Sequence, residues 1–78
     1  MPTALTANGF RFYFYSNEGD EPRHVHVEKG SSFGKIWLEP KIKPAYFSGF
    51  TPNEIRNIVD IVEINLATLI DKWNEHFA

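Results

Sequence analysis

Cysteine is absent from the chain, which excludes disulfide staples, zinc–thiolate sites and thiol nucleophiles. A reducing compartment suits that composition. An excess of one charge is also missing. Eight Lys and Arg stand against ten Asp and Glu, a formal net charge of −2, so coating duplex DNA by bulk positive charge is not expected. No apolar run nears the roughly 18 residues that cross a bilayer. The opening residues Met1 to Thr6 lack the basic and long apolar regions of a signal peptide. There is no Gly-rich loop to cradle a phosphate, no Ser/His/Asp order to suggest a nucleophile, and no internal repeat or linker. These absences leave a compact cytoplasmic domain as the expectation.

What is present is aromatic. Seven Phe, three Tyr and two Trp in 78 residues offset a length near the lower limit for unaided folding, because each buried ring removes a large area from water. The hydrophobic pattern changes once. Up to about Pro44 it alternates with period two, and from Thr51 onward it is helical with no Gly and no Pro beyond Pro52. The whole chain, 1–78, therefore reads as one α+β domain: a sheet region over 1–49 and a C-terminal helix over 50–78. A small antiparallel sheet of three to five strands is covered on one face by that long helix.

Within the sheet region, Phe10–Tyr15, Arg23–Lys29 and Lys35–Glu39 read as strands. Thr3–Thr6 is a short first strand turned by Ala7-Asn8-Gly9. Gly30–Gly34 reads as a hairpin connection, and Pro40 and Pro44 demote Lys41–Lys43 to an edge strand or extended loop. The helix start is sharply marked: Thr51 as N-cap, Pro52 in the first turn and Glu54 completing a capping box. Ile55, Ile58, Val59, Val62, Leu66, Leu69, Ile70, Trp73 and Phe77 form one stripe. A continuous helix from Pro52 to Phe77 would be roughly 39 Å long, longer than a globule ~30 Å across. Either it breaks, near Asn65, or its end reaches a partner. Ile61 and Ile64, read as lying away from the stripe, mark a candidate partner interface.

If Phe10, Phe12, Phe14, Val25, Val27, Ile36 and Leu38 face the helix, the pleat turns the alternate residues outward. Those are Arg11, Tyr13, Tyr15, His24, His26, Glu28, Lys35, Trp37 and Glu39. On such a face bases or a peptide can stack on Tyr13, Tyr15 and Trp37 while Arg11 and Lys35 hold phosphate oxygens. Three roles compete for His24 and His26. As a catalytic pair they would perform acid–base chemistry, such as metal-independent RNA cleavage. As metal ligands they need a third, with Glu28 or His76 nearest to hand. As structural groups they hydrogen-bond or stack. The acidic loop Glu18-Gly19-Asp20-Glu21 lacks EF-hand spacing and reads as a solvated turn.

Gly9 to Glu18, Glu21-Pro22-Arg23-His24-Val25-His26-Val27-Glu28, Lys35-Ile36-Trp37-Leu38-Glu39-Pro40 and the helix from Gly49 to Phe77 together resemble a bacterial family known as domain of unknown function 4160. Arg11, Tyr15, Pro22, His24, His26, Lys35 and Trp37 match its pattern, whereas the family often has Pro where this chain has Arg23. The resemblance implies a small toxin-like protein encoded beside a partner of the domain of unknown function 2442 family, in an arrangement of toxin–antitoxin type. It brings no established reaction and no cofactor. Two functions follow as expectations: a toxin-like component acting on RNA, or a non-enzymatic module binding protein or nucleic acid. An antitoxin-like protein or a second copy of the chain is the expected partner.

Overall fold

The structure, a computed structural model, describes residues 3–77. Five strands, β1 (Thr3–Ala7), β2 (Phe10–Tyr13), β3 (His24–Lys29), β4 (Ser32–Trp37) and β5 (Lys43–Ser48), precede helices α1 (Pro52–Ile64) and α2 (Leu66–His76). The strands form one sheet in sequence order, each antiparallel to the next. Consecutive strands lie side by side, as the usual rule for antiparallel chains has it, although the connection over residues 14–23 is long. Asn8 and Gly9 both adopt positive φ, 52° and 83°, as a two-residue turn of primed type needs to match strand twist.

Several boundaries differ from the sequence pattern. Strand β2 stops at Tyr13, so Phe14 and Tyr15 begin the loop that leads to β3. The turn between β3 and β4 is only Gly30-Ser31, because Lys29 pairs with Ser32. Strand β4 therefore starts earlier than expected, at Ser32. The last strand is not Lys41–Lys43 but Lys43–Ser48. Its pairing slips between Pro44, opposite Ile36, and Tyr46, opposite Lys35, which leaves Ala45 as an extra residue. Proline cannot donate to a ladder, so an irregular edge is where it fits. The Glu39–Pro40 peptide bond that precedes this strand is cis.

One rung of the inner face runs Leu5, Phe12, Val27, Gly34, Phe47 across all five strands. Gly34 is required there: a Cβ would lie 2.5 Å from the Phe47 ring. Phe10, Phe12, Phe14, Val25, Val27, Ile36 and Leu38 are buried against Ile58, Ile61, Val62, Leu69 and Trp73 of the helices. Each such side chain contributes roughly 1.5–3 kcal/mol on burial, so this layer dominates the stability of so short a chain.

The predicted capping box is formed. Thr51 Oγ1 accepts from the Glu54 N–H at 3.2 Å, and the Thr51 N–H donates to Glu54 Oε1 at 2.9 Å. The single long helix is corrected to two. At Asn65 the backbone leaves helical geometry (φ −107°, ψ 18°), while its N–H and its side-chain amide both donate to the Ile61 carbonyl. The break keeps the helical layer within a molecule 34 Å in its longest dimension. No helix among the described residues is long and apolar enough to cross a membrane.

The placement of Ile61 beside Ile64 in a partner interface is also corrected. Ile61 stands one three-residue step, about 60°, from Ile58 on the helical wheel; it is 7% exposed and belongs to the core. Ile64, a further step around, is 82% exposed.

Candidate functional site

The outer face of the sheet carries the residues that alternation assigns to it. One rung runs Tyr13, His26, Lys35, Tyr46; the next run Arg11, Glu28, Phe33 and His24, Trp37, Lys43. Their exposure is where expectation and structure part. His24 is 0% and His26 4% exposed. The imidazoles expected to face solvent are buried because the loop between β2 and β3 folds back over them.

Glu18 closes that loop. Its Oε1 lies 2.7 Å from both His24 Nε2 and His26 Nε2. On its other side, the His24 ring donates from Nδ1 to the Pro22 carbonyl at 2.9 Å. Since a carbonyl only accepts, Nδ1 carries a proton. The Nε2 contact to Glu18 then needs a second proton, on the ring or on the carboxyl. Burial lowers the pKa of His26, against the opposing pull of Glu18, and favours the neutral ring. Desolvation pushes the Glu18 carboxyl up, but hydrogen bonds from His24 and His26 outweigh it and hold the group below the usual carboxylate range.

Aromatic rings enclose this triad. His24 lies between Trp37 and Trp73, with centroids at 5.4 and 5.0 Å, and His26 touches Tyr13 and Tyr15 at 5.6 and 4.4 Å. The loop is pinned at three further points. Glu21 accepts from Lys35 Nζ at 2.9 Å. Phe77 packs so closely on Gly19 that a Cβ there would lie 2.6 Å from the ring. Arg23 bridges Glu39, at 2.8 Å, and Asn74 of α2. The backbone N–H of Arg23 also donates to Glu39, and this bond first, then the guanidinium, holds the Glu39 carboxyl below its ordinary range. Among the described residues no buried side-chain nitrogen or oxygen lacks a partner.

The metal set is corrected in the same way. Glu28 faces Arg11 at 3.3 Å, and His76 lies at the end of α2 beside Ser16 and Phe14. The third group that joins the two imidazoles is Glu18. The expected phosphate anchors are engaged within the protein: Lys35 with Glu21 and, at 4.2 Å, over the Trp37 ring, Arg11 with Glu28, Thr3 and the Tyr13 ring. Tyr13 is 4% exposed; burial, then its hydrogen bond with Tyr15, pushes its phenol well above the ordinary range.

What the face does open to solvent lies beside the triad. A pocket of about 360 Å³ is lined by Tyr13, Tyr15, His26, Glu28, the Gly30–Gly34 stretch and Tyr46. At its rim Phe33 and Tyr46 are each 48% exposed and meet edge to face, centroids 6.3 Å apart. A smaller pocket of about 200 Å³ adjoins Trp37, with Glu39, Pro40, Lys41 and Lys43. Lys41 and Lys43 are exposed. The sequence reading missed Phe33, Tyr46 and Lys43, because it ended the alternating region too early. Moving the start of β4 to Ser32 puts Phe33 outward, and extending the last strand past Pro44 with the slip at Ala45 does the same for both Lys43 and Tyr46.

The sequence matches the family described as domain of unknown function DUF4160 over residues 9–74. The chain belongs to that family. The matched stretch takes in the triad, the loop that closes it and both helices nearly to their end, so the DUF4160 region of this chain includes the outer face as well as the core. No curated protein and no solved structure matches the chain.

Proposed function

We propose that this DUF4160 protein is the toxin-like member of a bacterial two-protein system, and that it works by binding single-stranded RNA on the outer sheet face. The observation that carries the binding is the half-exposed Phe33–Tyr46 pair at the mouth of the aromatic pocket. Rings so presented stack bases whatever the sequence, and the pocket beside them is closed at its base by His26 and Tyr13. Lys43 lies on the same strand face as Tyr46 because Ala45 is an extra residue between them; their partners Trp37 and Lys35 are two residues apart, roughly 7 Å at 3.3–3.4 Å per residue. With Lys41, Lys43 supplies the cations for phosphate that Arg11 and Lys35, already paired, do not. The toxin-like role and an antitoxin-like partner of the domain of unknown function 2442 family come from the resemblance.

This reading is one of recognition. In it His24 and His26 do not act as acid and base, since both Nε2 atoms face Glu18 and both rings are covered. Fluorescence anisotropy with short labelled single-stranded RNA tests it. Stacking contributes about 1–3 kcal/mol per base, so Phe33→Ala with Tyr46→Ala weakens binding by at least about tenfold while the fold is retained. Growth inhibition by the chain expressed alone, relieved by its neighbour's product, tests the toxin role. A folded chain that binds no RNA, or a double variant that binds as tightly as the parent, overturns the proposal.

A further inference from the structure

The triad beneath the loop supports a second inference, independent of whether the outer face binds RNA. We propose that Glu18, His24 and His26 form a binding site for one divalent transition-metal ion of the zinc class, which locks the β2–β3 loop onto the sheet. The three ligand atoms, a carboxylate oxygen and two Nε2 atoms, all lie within 4.8 Å of one another. Two imidazoles and one carboxylate are a donor set that zinc and its neighbours accept, with one tetrahedral position left for solvent.

The surroundings are those of a ligating site. His24 is oriented by its Nδ1–H bond to the Pro22 carbonyl, which fixes the tautomer whose Nε2 lone pair points inward. His26 stands two residues along the same strand face, so the pleat aims both rings alike. Glu18 arrives from the loop with its side chain 21% exposed, and indole and phenol rings flank the two imidazoles.

The hydrogen count favours a cation as well. Without one, a single carboxylate oxygen must take two imidazole contacts at 2.7 Å, one from a ring whose other nitrogen already donates. A cation at the centre meets the lone pairs instead. Metal–ligand bonds of about 2.0–2.1 Å set tetrahedral ligand atoms roughly 3.3 Å apart, so each contact from Glu18, now 2.7 Å, lengthens by about 0.6 Å, and the two Nε2 atoms, within 4.8 Å of one another, settle to the same spacing. Lys35, a cation on the same outer face, is balanced by Glu21.

Untagged protein dialysed against zinc, followed by elemental analysis and calorimetry, is expected to hold one ion per chain. Cobalt(II) in its place gives the visible d–d absorption of a four-coordinate site, saturating at one equivalent. Glu18→Gln weakens zinc binding by about 100-fold or more, the upper end of what losing even a ligand-orienting partner costs; His76→Gln leaves it unchanged. Parent protein, folded by circular dichroism, that shows no saturable zinc uptake and no cobalt band overturns the proposal. Uptake abolished by His76→Gln and untouched by Glu18→Gln overturns it equally. The cobalt titration needs only the parent chain, so a variant that fails to fold does not shield the proposal.

Discussion

The two faces of the sheet are both covered, by different physics. On the inner face Phe12, Val25, Val27 and Ile36 meet helices α1 and α2 through apolar area alone. On the outer face His24 and His26 are as deeply covered, but by a loop that reaches them through the Glu18 carboxylate and Tyr15, together with Tyr13, Trp37 and Trp73 from β2, β4 and α2. Strand β3 is therefore buried on both sides while its residues alternate apolar and polar. Alternation reports what a face touches, and polar residues on an antiparallel strand do not by themselves mean water.

The largest test of that contrast is Phe12→Ala. Removing a fully buried ring from the inner layer costs about 3–5 kcal/mol, seen as a collapse of the denaturation midpoint. A loss below 1 kcal/mol would mean that the inner layer is not what holds the chain together. Glu18→Gln acts on the other face. Hydrogen bonds to a charged group contribute about 1.5–3 kcal/mol, so a loss in that range is expected in metal-free buffer. Hydrogen exchange should show the loop amides losing protection first. Uniform loss across sheet and helices would show that the loop is not a separate closure.

Thr51→Ala weakens the inner cover from its end, by about 1 kcal/mol for a lost N-cap, or roughly 4–8 °C in melting temperature for a chain of this size. Its partner Glu54 adds a pH signature. The backbone N–H of Thr51, chiefly, holds the Glu54 carboxyl below the usual carboxylate range. The stabilisation is thus present above the ordinary carboxylate pKa and is lost as pH falls through the folded value. Glu54→Gln should cost most near neutral pH and little in acid, read from denaturation curves across that window. Smallest of all is Ile64→Lys, within about 0.5 kcal/mol because the side chain is already in solvent. Co-purification of that variant with the proposed antitoxin-like protein tests whether Ile64 contacts a partner.

The inner face was legible because its signals are local. A period of two over Phe10, Phe12 and Phe14, a period near 3.6 over Ile58, Val62 and Leu69, and the Thr51-Pro52-x-Glu54 cap each fix their element within a few residues. The outer face was legible as a set and misread as a surface. Pleat geometry put His24, His26, Lys35 and Trp37 on one side, as found. Nothing local says that a carboxylate six residues before His24 will return to it. Glu18 sits in a polar stretch with Gly19 and Pro22 that reads as a turn, and only the closed loop shows where the side chain points. The split at Asn65 was foreseeable from helix length against molecular size. The burial of Ile61 was foreseeable from its small angular distance to Ile58.

The irregular pairing at Pro44 and Ala45 bears on how molecules of this protein behave toward one another. A meander leaves its final strand with one unpaired side, and here that side adjoins two half-exposed rings, a template for stacking strands from other chains into fibres. An imino acid with no N–H at the second position of the strand, followed by a slip in register, interrupts the ladder near its start. A neighbouring copy finds an interrupted row of donors to zip against, so the two rings can stay exposed without seeding polymer growth.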